Sequence, residues 1–62
     1  MLPPEEYLIV DRTIRKNIEC FDRANGTINE FTTIIMNSLG SMYYAIYERD
    51  INEMIKKIWN EQ

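Results

Sequence analysis

Apolar residues in the first third of the chain recur at the spacing of one helix face. The spacings are three, four, four and three residues, as in an amphipathic helix. Prolines and glutamates at the start suit a first helical turn, while Asn25 and Gly26 tolerate the left-handed conformation that often ends a helix. We therefore predict a first helix from about residue 4 to 24. Its apolar face comprises Tyr7, Val10, Ile14, Ile18 and Phe21.

A second helix is predicted to begin after Thr27. Thr27 can cap this helix while Glu30 reaches back to the Thr27 amide, which is the arrangement called a capping box. A second apolar stripe with helical spacing follows. This stripe comprises Ile28, Phe31, Ile35, Leu39, Met42 and Ile46. The β-branched and aromatic residues of the stretch also suit a β-hairpin that turns at residues 37–40, but the lack of clean alternation favours the helix.

Beyond Ile46 the apolar residues move to another side of the helix. On a wheel of about 100° per residue, their centre lies roughly 130° from the earlier stripe. They comprise Tyr44, Tyr47, Ile51, Met54, Ile55 and Ile58. The chain must therefore bend, or one helix must face two partners. A bend is expected either at Gly40, because glycine weakens a helix, or near Asp50, which could form a second capping box with Glu53.

These patterns predict an all-α fold, a small bundle of two long or three helices in one domain over residues 1–62. A chain of this length buries only about 60% of its unfolded surface, so it has little core to stabilise a monomer. Cys20 is the only cysteine and there is no histidine, which argues against an internal disulfide and a structural zinc site. We therefore expect dimerisation to complete the bundle.

Catalytic chemistry has little support in the sequence. The chain has no histidine, no glycine-rich phosphate loop and no metal-ligand spacing. Cys20 has Lys16 and Arg23 one turn away, but we interpret it as a half-buried packing residue, because free cysteines are commonly buried. Helix capping accounts for Asp50 and Glu53. We predict a protein that is not an enzyme and that needs no cofactor or metal.

Charge and hydropathy restrict the partners and the compartment. The net charge of -3 disfavours a non-specific nucleic-acid binder, which would normally be basic. The first ten residues lack the basic start of a signal peptide, and no run of 18 apolar residues exists to cross a membrane. A single cysteine also fits a reducing compartment. We therefore expect a cytoplasmic protein with no membrane partner.

A helix-turn-helix regulator of DNA is the alternative interpretation. Gly40 would lie in the turn, and a second helix from Ser41 would enter the major groove. Met36 and Ser41 occupy positions where this motif favours a small and an apolar residue, respectively. Arg49 is the only basic residue of the proposed recognition helix, although base reading and phosphate contacts rely heavily on arginine and lysine.

The segment from Phe31 to Tyr47 carries no charge. A surface helix usually has charges on its solvent side, so we expect this segment to be covered by a second copy or by another protein. A monomer in which the segment is the middle of three helices is the alternative. Tyrosine, methionine and tryptophan are favoured at interfaces, although the tryptophan could instead fasten the last turn to the core. The predicted interface comprises Met36, Leu39, Gly40, Met42, Tyr43, Tyr47 and Trp59.

The functional hypothesis is a small non-enzymatic module that binds other proteins and self-associates. An inhibitor, an adaptor or a regulatory subunit would fit this description equally well.

Overall fold

The computed structural model describes residues 1–61, which form helices and no strand. The helices are α1 (Pro4–Cys20), α2 (Ile28–Leu39), α3 (Ser41–Ile46) and α4 (Glu48–Glu61). The all-α prediction is confirmed. The β-hairpin alternative is wrong, because its two strands would have used residues that lie in α2 and α3. The predicted count of two or three helices is also too low, because the second predicted helix is divided.

Helix α1 ends at Cys20, four residues before the predicted end. Phe21 has extended backbone angles, with φ -90° and ψ 133°. The Asp22 carboxylate then accepts hydrogen bonds from the Ala24 amide at 3.2 Å and the Asn25 side chain at 2.7 Å. The Asn25 bond, with smaller help from backbone amides, lowers the pKa of Asp22 below its ordinary value. A local turn of this kind competes with helix continuation.

The predicted left-handed cap at Asn25–Gly26 is wrong. Gly40 is the only residue with positive φ in the part of the chain that the structure describes. Position 26 suits glycine for another reason: a Cβ there would collide with the ring of Phe21. Gly26 therefore provides space for an aromatic side chain.

The capping box at the start of α2 is confirmed. The Glu30 amide donates to the Thr27 hydroxyl at 3.2 Å, and the Thr27 amide donates to the Glu30 carboxylate at 2.8 Å. Both bonds satisfy amides that an open helix end would leave unpaired.

The chain bends at Gly40, where φ is 99° and ψ is 134°. This bend turns α3 away from the line of α2. Phe31 and Ile35 are buried, but Met42 is 80% exposed and Ile46 is 69% exposed. The prediction that one apolar stripe continues from Ile28 through Ile46 is therefore wrong beyond Leu39.

A second interruption lies at Tyr47, where φ is -115° and ψ is 27°. Helix α4 begins at Glu48, so Asp50 lies inside its first turn and does not cap it. The Asp50 carboxylate instead accepts a hydrogen bond from the Leu2 amide at 2.8 Å. This bond holds the N-terminal segment against α4, and Leu2 is buried there.

The core lies between α1, α2 and α4, while α3 contributes no fully buried side chain. Its members are apolar and are listed here: Leu2, Val10, Ile14, Ile18, Phe31, Ile35, Ile51, Met54, Ile55 and Ile58. The predicted face of α1 is confirmed at its three middle positions, but Tyr7 is 41% exposed. Cys20 is exposed, so its predicted half-buried packing role is wrong. Residue 20 follows the buried Ile18 by two positions, which turns it away from the core.

Candidate interaction surface

The exposed side of α3 is apolar and uncharged. We call Met42, Ala45 and Ile46 the α3 outer face, and all three are exposed. Met42 and Ile46 are four residues apart and therefore lie on the same side of the helix. Large exposed apolar side chains that lie together commonly mark a binding surface.

Tyr43, Tyr44 and Tyr47, on the opposite side of α3, pack against the hydrophobic core. The rings of Tyr43 and Tyr47 pack with centroids 5.1 Å apart, a favourable distance for a tilted aromatic pair. The hydroxyl of Tyr44 hydrogen-bonds the Asn52 side chain at 2.5 Å. Helix α3 is therefore held through its tyrosines, and Met42 and Ile46 face outward.

A groove of about 290 Å³ lies beside α3. We call it the α1–α2 groove, and its lining comprises Glu6, Ile9, Thr13, Ser38, Leu39 and Tyr43. Ile9 is 60% exposed, so an apolar side chain of α1 is accessible in this groove. The groove adjoins the α3 outer face, because Met42 and Tyr43 are consecutive residues.

The only ionisable groups in the lining of the α1–α2 groove are Glu6 and Tyr43. Burial of the Tyr43 hydroxyl, reinforced by the neighbouring Glu6 carboxylate, raises the pKa of Tyr43 to about 12. Tyr43 is therefore neutral at ordinary pH. Glu6 lies beside the Tyr43 hydroxyl and carries the only charge in the lining of the groove.

Trp59 lies in a separate aromatic cluster. Its ring centroid is 5.8 Å from that of Phe21 and 5.7 Å from that of Phe31. The Arg23 guanidinium lies 4.8 Å from the Trp59 ring and donates to the Trp59 carbonyl at 2.7 Å. Trp59 therefore fastens the last turn of α4 to the core. It follows Tyr47 by twelve residues, which corresponds to about 18 Å along a helix, so it lies apart from the α3 outer face.

The other predicted interface residues lie close together along α2 and α3. Met42 is on the α3 outer face, and Leu39 and Tyr43 line the adjacent groove. Gly40 is exposed at the bend, whereas Met36 and Tyr47 are half-buried. The structure thus brings together most of the predicted residues and separates Trp59 from them.

Sequence reasoning missed Ile9, Leu8 and Ile46 as members of an exposed apolar surface. Leu8 is 66% exposed and, like Ile9, lies outside the buried stripe of α1. A signal was present, because residues 7–10 are four consecutive apolar residues. One helix face cannot bury four consecutive positions, so some of them had to face outward.

Within residues 1–61, no group of three or more potential metal ligands lies together. Among the described helices, none is long and apolar enough to span a membrane. The α3 outer face also lacks the basic side chains that would contact phosphates.

Comparison of the chain with protein-family models, with curated proteins and with solved structures found no match.

Proposed function

We propose that the chain is a small non-enzymatic protein-interaction module that self-associates through the α3 outer face. The observation that supports this most directly is the exposure of Met42 and Ile46, at 80% and 69%, within an uncharged helix held in place by its tyrosines. Burial of such side chains contributes about 1.5–3 kcal/mol each. An inhibitor, adaptor or regulatory subunit would use the same surface toward a second protein.

The charge distribution indicates where two copies would meet if the chain self-associates. Two chains that each carry a net charge of -3 repel one another when acidic faces meet. The α3 outer face has no charge of its own, so two copies can meet there with the least repulsion. A two-fold dimer also places the same patch on both sides of the interface.

The test is sedimentation equilibrium of the whole chain at micromolar concentration, with the variant Ile46→Glu. The unmodified chain should be dimeric. A two-fold interface contains the substituted residue twice, so losing about 1.5 kcal/mol or more at each site should raise Kd at least a hundredfold.

The matched control is Ile34→Glu. Ile34 is also an exposed isoleucine of the uncharged segment, at 39%, but it lies beside the loop between α1 and α2, near Phe21 and Gly26. It should leave Kd within about threefold of the unmodified value. A monomeric unmodified chain, or equal effects of the two substitutions, would contradict self-association through α3.

The bend at Gly40 favours a helix-turn-helix regulator as a second candidate. Its second helix, α3, has only six residues and no basic side chain. Binding to random-sequence DNA that weakens steeply as salt rises would support this candidate, and no binding at low salt would remove it.

A further inference from the structure

We propose that Asn25 is a site of spontaneous deamidation, and that hydrogen bonds to Asp22 restrain the reaction while the loop between α1 and α2 is closed. Chains whose loop has opened then acquire a permanent negative charge in that loop. The inference does not depend on the proposed self-association, because Asn25 lies outside the α3 outer face.

The sequence and the helix bounds distinguish Asn25 from the other asparagines. Deamidation requires the amide nitrogen of the next residue to reach the side-chain carbonyl carbon, and glycine, which has no Cβ, hinders that approach least. Of the six asparagines in the chain, Asn25 alone precedes glycine and alone lies outside the helices of residues 1–61. Regular helix geometry holds the next amide away from the side chain. The five asparagines in helices are Asn17, Asn29, Asn37, Asn52 and Asn60.

Packing explains why glycine occupies position 26. A Cβ at Gly26 would collide with the ring of Phe21. That ring packs against Phe31 and Trp59, with centroids 5.2 and 5.8 Å away. The aromatic cluster therefore requires the same glycine that makes Asn25 reactive.

The two reacting groups are both held by Asp22. The Asn25 side-chain amide donates to the Asp22 carboxylate at 2.7 Å, and the Gly26 amide donates to the Asp22 carbonyl at 2.9 Å. The Gly26 nitrogen must lose its proton before it can attack, and a hydrogen bond made by the protonated form disfavours that loss. Asn25 is exposed, so local opening of the loop would release both groups into water.

The reaction needs only water and hydroxide. Hydroxide removes the Gly26 amide proton, and the nitrogen forms a bond to Cγ of Asn25. The bond from Cγ to Nδ2 breaks, and Nδ2 takes a proton from water and leaves as ammonia. Water then opens the cyclic imide at either carbonyl, which gives aspartate or isoaspartate. The net change consumes one water, releases one ammonia and involves no oxidation or reduction.

Either product disfavours closure of the loop. The Asn25 bond is the main cause of the lowered pKa of Asp22, because it stabilises the ionised carboxylate. A carboxylate at position 25 would instead repel Asp22 and raise its pKa. Isoaspartate also adds an atom to the main chain before Gly26, which displaces the amide that donates to the Asp22 carbonyl.

The test compares the whole chain with Asp22→Ala in mildly alkaline buffer, with folding checked by circular dichroism. Fragmentation mass spectrometry locates each replacement of an amide by a carboxyl group. The unmodified chain should react first at Asn25, and Asp22→Ala should react there faster by about threefold or more, since it loses the bond to the Asn25 side chain. The matched control is Glu19→Ala, which removes another exposed carboxylate near the end of α1 and should leave the rate unchanged.

Unfolding the unmodified chain provides a second measurement that needs no variant. In urea above the unfolding midpoint, Asn25 should react faster than in buffer by about threefold or more, and the two variants should match it. First reaction at another asparagine would overturn the site. Equal rates in buffer and urea, or equal rates for folded Asp22→Ala and Glu19→Ala, would overturn the restraint by Asp22.

Discussion

Gly40→Ala should destabilise the domain through the backbone alone. Gly40 has φ 99° and ψ 134°, a conformation that residues with a side chain rarely adopt. No heavy atom lies within 4 Å of the position that a Cβ would take. A steric clash with neighbouring side chains therefore contributes nothing, and backbone strain is the whole cost in the folded state.

Two opposing effects determine how much Gly40→Ala changes the free energy of unfolding. Holding a residue other than glycine in a sparsely populated backbone region costs about 1–3 kcal/mol. Alanine also lowers the conformational entropy of the unfolded chain, which raises the free energy of unfolding by about 0.4–1 kcal/mol. The net loss should be about 1–2 kcal/mol, which corresponds to a Tm lower by about 5–15 °C for a domain of this size.

The assay is thermal and urea unfolding followed by far-ultraviolet circular dichroism. It should be done in the Ile46→Glu background, because self-association makes apparent stability depend on concentration. Asn37→Ala is the matched control, since Asn37 is exposed in α2 and should change stability by no more than about 0.5 kcal/mol. If Gly40→Ala is as stable as this control, the positive φ is not required for the fold, and α2 and α3 can join as one helix.

Two further predictions concern the capping box and Tyr43. Thr27→Ala should lower the free energy of unfolding by about 1 kcal/mol in urea denaturation, because the Glu30 amide loses its acceptor; an unchanged midpoint would show that the bond contributes nothing. The raised pKa of Tyr43 means that the folded chain binds the proton of the Tyr43 hydroxyl more tightly than the unfolded chain does. The resulting contribution to the free energy of unfolding is present below pH 10 and is lost as pH rises toward about 12. Ultraviolet absorbance should show a tyrosine transition near pH 12 that Tyr43→Phe removes. A profile that Tyr43→Phe leaves unchanged near pH 12 would contradict the buried hydroxyl.

The sequence was sufficient for features that depend on local spacing. The capping box needs only Thr27 and Glu30 three residues apart, and the buried faces of α1 and α4 need only helical periodicity. These features act within a few turns of helix, so neighbouring residues determine them.

Features that depend on contacts between distant residues were not predicted. Phe21, which follows the end of α1, packs against Phe31, with ring centroids 5.2 Å apart, and against Trp59. Asp50 was predicted to cap a helix but accepts the Leu2 amide, 48 residues away in sequence. Such contacts involve partners that no local pattern specifies.

The same limit applies to the candidate surface. The uncharged segment directed attention to Met42, Leu39 and Tyr43, but spacing placed Met42 on the buried stripe, whereas it is 80% exposed. The bend at Gly40 reverses that placement, and a single glycine in a sequence does not reveal the direction of a bend. The groove with Ile9 depends on how α1 meets α2, and could be located only after the helices were packed.

The aromatic residues divide the molecule into two spectroscopic regions. The single tryptophan, Trp59, reports on the ends of α1 and α4 and the start of α2. Three of the four tyrosines lie in or directly after α3, and the fourth, Tyr7, lies beside the N-terminal segment and Asp50. Tryptophan emission and tyrosine absorbance therefore observe opposite ends of one small domain. If α3 detaches before the core unfolds, the tyrosine signal will change while the tryptophan signal stays constant, so the unmodified chain carries its own test of cooperative unfolding.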